Sequence, residues 1–539
     1  MKSMSFDFQL RRSMVVGRRG MVATSNPLAS QAGLRVLRDG GNAADAAIAA
    51  AAVLNVTEPA STGIGGDCFA LFYDASTRQV TALNGSGRAP AALELEALTA
   101  QGLSEIAITS PHAVSVPGAV AGWADLLAKH GRMTLADVLQ DAIVYARDGF
   151  AVHPVFAAAW QATEAFLQRS PNAGDYLPGG RAPQAGQIVC LPGLAQTLQD
   201  IADGGPDAFY SGPVADAIVA TLQELGGVMT PADLSAHRST WDTAIQTDYR
   251  GITVYECPPN GQGMVALEAL NIIEGDDIST LPWDSPERLH LMVEAMRVAF
   301  ADARHYCADL ATNPAPLDLL LSDDYARKRR ADIQPTRAMQ PPSYGVPMAG
   351  SDTVYLSVVD GDGNACSFIN SLYTGWGSGI AVKDRGFFLQ SRAALFSLDP
   401  EHPNCLAPGK RPYHTIIPGM ALRGNDLYSC FGVMGGFMQP QGHVQVLTAM
   451  IDDGLDPQEA LNRPRWCLEN GTGDSLLALE EGLPVATMAK LAEMGHRLRP
   501  VSGRGRGVFG VGQIINRDAE SGVLFGGSDP RKDGLVAAF

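Results

Sequence analysis

Ser351-Asp352-Thr353-Val354-Tyr355-Leu356-Ser357-Val358-Val359-Asp360 is the stretch from which the rest of this chain is best read. Thr353 to Val359 alternates as a half-buried strand does, Asp360-Gly361-Asp362-Gly363 is a strong turn signal, and Ala365 to Ile369 supplies an antiparallel partner. Just before it runs Pro341-Pro342-Ser343-Tyr344-Gly345-Val346-Pro347-Met348-Ala349-Gly350, a loose segment by composition. A threonine that opens a strand behind such a segment can be cut free on its amino side. It then carries a hydroxyl nucleophile and, on the same residue, an α-amine whose unperturbed pKa of roughly 8 suits a general base near neutrality. Thr is also a common strand residue that usually only packs, so Thr353 gains meaning from its company.

Outward from this hairpin, Ser429 to Met434 and Gly507 to Ile515 read as further strands, with helices at Gly442 to Asp453 and Val485 to Met494. Towards the N-terminus, Ala29 to Asp39 reads as a helix stopped by Gly40-Gly41, and Asn42 as the N-cap of a second, nearly all-Ala helix suited to close packing on a sheet. Gly63 to Tyr73 is a glycine loop entering a strand. Its glycines precede the strand, the wrong order for a dinucleotide fingerprint. Residues from about 115 to 340 read as mainly helical, with Val116-Pro117-Gly118 and Ser285-Pro286-Glu287 opening helices. Histidines 112, 153, 237, 290 and 305 lie singly there and read as structural or surface residues. Strands at both ends and helices between them predict an α+β fold of two stacked sheets covered by helices.

The chain has 539 residues, enough for two or three domains or one large elaborated core. Hydrophobic residues make up 46% and charged residues 18%, which reads as globular. The net charge of -17 gives no general attraction to phosphate backbones or anionic lipid, so nucleic acid and membrane surfaces are unexpected partners. The longest apolar stretch, Ala43 to Val56, contains Asp45 and falls short of the roughly 18 residues a bilayer span needs. Met1 to Arg12 has no uninterrupted apolar run. The eight cysteines show neither C-x-x-C nor zinc spacing. A cytoplasmic protein with free thiols, no metal and no cofactor is expected.

An N-terminal threonine needs donors for a developing oxyanion. Gly435-Gly436, at the end of the Ser429 to Met434 strand, can bring two backbone N–H groups close with no side chain in the way. An ordinary strand-to-helix turn would explain the same glycines. Ser371, on the partner strand of the hairpin, is the hydroxyl expected beside the Thr353 amine.

Together these residues resemble the γ-glutamyltransferase family of N-terminal nucleophile hydrolases. The matching stretches run nearly end to end: Gly40-Gly41-Asn42-Ala43-Ala44-Asp45-Ala46, Gly65-Gly66-Asp67, Val116-Pro117-Gly118, Thr353 with Ser357-Val358-Val359-Asp360, Asp362-Gly363-Asn364-Ala365, Gly377-Ser378-Gly379-Ile380, Pro408-Gly409-Lys410-Arg411-Pro412, Gly435-Gly436 and Gly527-Ser528-Asp529-Pro530-Arg531. The resemblance implies a four-layer αββα sandwich with additional helices and self-cleavage between Asp352 and Thr353. Residues 1–352 and 353–539 would be large and small subunits of one catalytic unit, with a dimer of such heterodimers left open. It also implies Thr353 as nucleophile and base, Ser371 as its hydroxyl neighbour, and the Gly435 and Gly436 amides as oxyanion donors.

The chain also departs from that family's pattern. Where classical members fix a glutamyl group with an Arg before Ala-Pro, an Asp before Phe-Ser and a Ser-Ser pair, this chain has Ser86 (with Arg88 two residues on), Leu395, and His414-Thr415. Loss of the Asp leaves a substrate ammonium unpaired, so a γ-glutamyl group fits poorly. Arg392, Tyr373 and His414 are instead expected to hold a smaller acid, Arg being the natural bidentate partner of a carboxylate. Phe368-Ile369-Asn370-Ser371-Leu372-Tyr373 and His414 are similar to the oxamate amidohydrolase branch. The expected activity is thus hydrolysis of the amide of a small carboxylic acid through an acyl-enzyme. Alternatives are a γ-glutamyl hydrolase or transpeptidase acting on glutathione-like substrates, and an unprocessed, non-catalytic scaffold. Whether Pro400 to Pro412 forms a lid stays open at this level.

Overall fold

The computed structural model describes residues 12–339, 352–472 and 475–539; the Pro-rich segment read above as loose lies outside them. Two antiparallel sheets of seven strands each form the centre. In the first the order is Val15–Gly17, Leu524–Ser528, Val511–Arg517, Asp426–Met434, Gly419–Arg423, Ile252–Glu256, Ile245–Tyr249. In the second it is Leu535–Ala538, Met21–Thr24, Asp352–Val359, Ala365–Tyr373, Asp67–Asp74, Gln79–Gly85, Thr240–Asp242. Strands from either side of the Asp352–Thr353 junction therefore interleave in both sheets.

The sheets pack face to face through Phe69, Leu71, Tyr355, Ile369, Met420, Cys430 and Ile515, all essentially solvent-free. Polar links also cross this layer: Ser357 Oγ lies 3.1 Å from the Cys430 carbonyl and 3.3 Å from that of Gln513, and Ser367 Oγ 3.5 Å from that of Phe431. Helices cover both outer faces. On the second sheet lie Pro27–Arg38, Ala43–Thr57 and Ala119–His130; on the first lie Gly263–Glu274, with Pro286–Tyr306 packed on it, and Met438–Ile451. This is the αββα sandwich, with additional helices, expected from the sequence.

Ala43–Thr57 is buried along its whole length, and its methyl side chains allow close approach to the Asp352–Val359 and Ala365–Tyr373 strands. Asn42 caps it as predicted, in a reciprocal arrangement with Asp45. Asp360, from the hairpin turn, accepts the Ala43 N–H at 3.0 Å, a carboxylate at the positive end of the helix dipole. The Asn-Ala-Ala-Asp and Val-Val-Asp motifs thus lock one helix onto the Thr353 hairpin.

Residues 115–340 are mainly helical as read, but the reading missed three strands there: Thr240–Asp242 at the edge of the second sheet, and Ile245–Tyr249 at the edge of the first with Ile252–Glu256 beside it. The last two form a hairpin turning at Arg250 and Gly251, with φ of 54° and 75°. Both central residues are left-handed, as a tight hairpin turn needs, but Arg in the first position hides the signal. Among the described residues, no helix is long and apolar enough to cross a membrane.

Candidate active site

Thr353 sits on a strand flanked on both sides, and the ladder beside it is irregular. Asp352 pairs with Tyr373 and Val354 with Asn370, so Ser371 and Leu372 together oppose Thr353. This bulge brings Ser371 Oγ to 3.1 Å from Thr353 Oγ1, with both residues fully buried. Beyond the bulge, Tyr373 has φ of 82°, unusual for a bulky residue. Its amide donates back to Ser371 Oγ at 2.8 Å.

Arg392, on a short 3-10 turn, is also fully buried. Its Nη2 donates to Ser371 Oγ at 3.1 Å, its Nη1 to Thr415 Oγ1 at 2.8 Å, and its guanidinium carbon lies 4.6 Å from the Tyr373 ring centre. Its Nε–H finds no partner among the described residues. Burial lowers the Arg392 pKa to about 10, with the charge of Asp67 opposing the drop. Burial raises the Tyr373 hydroxyl above its ordinary value, keeping it protonated near neutrality.

Asp67 lies directly across the ladder from Ser371. Its Oδ1 accepts three N–H groups, from Gly87 at 2.9 Å, Gln390 Nε2 at 3.0 Å and Gly118 at 3.1 Å. Its Oδ2 is 3.1 Å from His414 Nε2. The Ile416 N–H points at His414 Nδ1, 3.3 Å away, so the imidazole is neutral and donates to Asp67 through Nε2. Burial pushes His414 well below its usual range, helped by Arg392 and Arg411, and raises Asp67 to about 6 against the pull of Arg392. Two glycines make this cage: a Cβ on Gly66 would fall 2.2 Å from the Ser371 carbonyl oxygen, and one on Gly118 2.0 Å from that of Gly85. Asp67 and Gln390 escaped the sequence reading; the available signal was a lone carboxylate opening the apolar run Asp67 to Tyr73.

Gly435 and Gly436 form the turn between the Asp426–Met434 strand and the Met438–Ile451 helix, with φ of 129° and 60°. Gln262, also missed from sequence, fixes them to the cluster. Its Nε2 donates to the carbonyls of Thr415 at 2.7 Å and Gly436 at 2.9 Å, while the Tyr413 hydroxyl holds its Oε1 at 2.9 Å. Leu395 is buried in the same hydrophobic core as Tyr373, Tyr413 and Phe437 and brings no charge to it. The Pro400 to Pro412 segment is tied beneath it through Asn404, which donates to the Leu395 carbonyl at 2.7 Å and accepts the Tyr413 N–H at 2.9 Å.

Ser86 and Arg88 flank Gly87, whose N–H holds Asp67, and their side chains turn to other partners. The Ser86 hydroxyl donates to Asn84 at 2.6 Å and accepts from Asn260 at 3.2 Å, and its carbonyl takes Arg411 Nε at 3.1 Å. Arg88 reaches Asp309 at 3.4 Å and the Gly409 carbonyl at 3.3 Å. Asn84, Arg88, Asn260, Asp309 and Arg411 help line a cavity of about 820 Å³ to which Thr353, Ser371, Arg392 and His414 do not contribute. Convergence of buried polar groups marks the candidate site better than volume does, because Thr353 is fully buried.

One group of potential metal ligands occurs among the described residues, His290, Glu294 and His496, with ligand atoms within 4.8 Å of one another. Its contacts are already protein contacts: His290 Nδ1 and His496 Nε2 are 2.8 Å apart, and Arg297 lies 3.1 Å from Glu294. A cation would have to displace the first and be repelled by Arg297, so the trio reads as a structural cluster.

The sequence profile of the family described as gamma-glutamyltranspeptidase matches residues 29–539. The chain is 40% identical to a glutathione hydrolase-like YwrD proenzyme of Bacillus subtilis, over 97% of this chain and 99% of that protein. It is 34% identical to an oxamate amidohydrolase proenzyme of Klebsiella pneumoniae over the same shares, 97% and 99%. Among solved structures, a cephalosporin acylase from Bacillus halodurans superposes with a TM-score of 0.92 at 44% identity, covering 100% of this chain and 99% of that one.

Proposed function

The chain belongs to the gamma-glutamyltranspeptidase family of amide-bond hydrolases, and on that premise we propose that it is a self-processing N-terminal threonine amidohydrolase acting on the amide of a small carboxylic acid. Thr353 Oγ1 attacks the Asp352 carbonyl, the peptide bond becomes an ester, and water releases the Asp352 carboxylate and the Thr353 amine. Residues 1–352 and 353–539 then persist as two interleaved subunits of one catalytic unit, consistent with the proenzyme names of the relatives.

In turnover the freed amine accepts the Oγ1 proton while Oγ1 bonds to the substrate carbonyl carbon. The oxyanion that forms is stabilised by the Gly435 and Gly436 amides. Collapse breaks the C–N bond, the ammonium proton leaves with the departing amine or ammonia, and water, deprotonated by the same amine, hydrolyses the acyl ester. Ser371, itself held by Tyr373 and Arg392, orients the threonine.

The observation that carries the substrate reading is Arg392. A solvent-free guanidinium anchored on Ser371 and Thr415, whose Nε–H has no partner among the described residues, suits the carboxylate of an acid bound for attack. Tyr373 and Thr415 set its plane, and His414 flanks it. Leu395 offers no partner to an ammonium, which favours oxamate-like amides over γ-glutamyl ones. Glutathione hydrolysis is the second reading, favoured by the name of the 40% identical relative. Incubating processed protein with oxamate, monoamides of dicarboxylic acids and glutathione, and measuring released ammonia or amine, separates them. Turnover of glutathione above that of every amide lacking an α-amine would overturn the first reading.

A further inference from the structure

Arg392 and Asp67 are the two opposite charges of the cluster, both fully buried, yet neither touches the other directly. In the free site Arg392 and Asp67 balance each other, the charge of Arg411 being opposed by Asp309 and Asp242 and the freed Thr353 amine being neutral in its role as base, with His414 neutral between Asp67 and the backbone at Ile416. An acid substrate on Arg392 brings a second anion into the same dry space. One cation would then face two anions, and in a medium of low dielectric the cheapest relief is a proton.

We propose that Asp67 is the positioning residue of the acid-binding pocket: in the free enzyme it supplies the counter-charge that keeps Arg392 in place, and it takes up one proton when a carboxylate binds there. This inference rests on the reading of Arg392 as the acid-binding group. Asp67 Oδ1 is saturated by three N–H donors, whereas Oδ2 accepts only from His414 and keeps a lone pair for the proton. The Asp67 carboxyl already stands at about 6, so protonation near neutrality needs only a modest further rise.

The other groups facing Asp67 are poor recipients. His414 would have to give up the Ile416 N–H at Nδ1, and Arg392 and Arg411 both oppose its protonation. Cys68 and Tyr210, electrostatically coupled to Asp67, are raised by burial and hold their protons already. Arg411 is a fixed cation on the far side, tied to the Ser86 carbonyl and Thr240. Asp125, whose charge acts on Cys68 and Tyr210 as that of Asp67 does, adds only further negative charge.

The test uses processed wild-type enzyme and pyruvate, a carboxylate with no amide to cleave. Calorimetric titration at pH 7 in two buffers of different ionisation enthalpy is expected to show close to one proton taken up per pyruvate bound. The competitive inhibition constant of pyruvate should rise towards tenfold per pH unit above about 6, as linkage requires of a binding-coupled proton. Arg392→Lys should weaken pyruvate binding while keeping the proton uptake. Asp67→Asn should abolish the uptake and flatten the pH dependence; should that variant fail to fold, the inflection of the wild-type inhibition profile decides, at about 6 for Asp67 and about 8 for the freed Thr353 amine. Pyruvate that binds in an Arg392-dependent way with no proton uptake overturns the role of Asp67 and leaves the acid pocket standing. Absence of pyruvate binding, or binding indifferent to Arg392→Lys, overturns both.

Discussion

Two buried charge clusters in this molecule are built on opposite plans. At the Asp529-Pro530-Arg531 motif, Asp529 is paired with Arg465 at 2.8 Å and Arg531 at 3.1 Å, and Glu480 with Arg531 and Arg506. Burial pushes both carboxyls up, but the neighbouring guanidiniums outweigh it and hold each below its ordinary range. Beside Thr353, Asp67 meets N–H groups and a neutral imidazole, its carboxyl stands raised, and Arg392 keeps an N–H without a partner among the described residues. Carboxylates and guanidiniums in direct contact are scaffold. Charges held near each other yet apart leave an unmet demand that a ligand or a proton can answer.

The largest effect should come from the nucleophile. Thr353→Ala is expected to abolish both chain cleavage and amide turnover, while Thr353→Ser, which keeps a hydroxyl, retains part of each; turnover by the Ala variant would remove the mechanism. In the scaffold cluster, Asp529→Ala strands Arg465 and Arg531 and should cost about 3–5 kcal/mol of stability by denaturant titration, with kcat/KM of the processed enzyme little changed. A marginal loss would show that this cluster is not the paired scaffold described.

Arg392→Ala should do the reverse, lowering kcat/KM for acid amides by about 2–4 kcal/mol of transition-state stabilisation. Unchanged kcat/KM would break the contrast. A finer test compares pH dependences of stability. The lowered carboxyls of Asp529 and Glu480 contribute stability that is present above the ordinary carboxylate range and lost as pH falls through their folded values. Asp67, raised, contributes in the opposite sense: its share is full below its unfolded value and lost as pH rises through about 6. Melting temperatures of Asp529→Asn and Asp67→Asn, each subtracted from wild type across pH 2 to 8, should change in opposite directions: the Asp529 contribution grows as pH rises towards about 4 and is flat above it, whereas that of Asp67 falls between about 4 and 6; changes of the same sign would refute the distinction.

What the sequence made legible was local. The Thr353 hairpin, the Asn42 cap and the Gly435-Gly436 turn each rest on residues within a few positions of one another, where propensity and φ requirements act directly. The Ile245–Tyr249 and Ile252–Glu256 strands were hidden because their turn uses Arg250 where Asn or Asp would have announced it. Asp67 was hidden for another reason. Its partners come from Gly87, Gly118, Gln390 and His414, brought together only by folding. Ser86 was legible only as a position along the chain; its hydroxyl partners, Asn84 and Asn260, are set by the fold.

The central claim is that this chain cuts itself to create its catalyst, and the most direct measurement is intact mass with N-terminal sequencing of the purified protein. Two fragments are expected, one ending at Asp352 and one beginning Thr353-Val354-Tyr355-Leu356. A stable uncut chain that hydrolyses amides, or a fragment beginning at any other residue, would contradict the account.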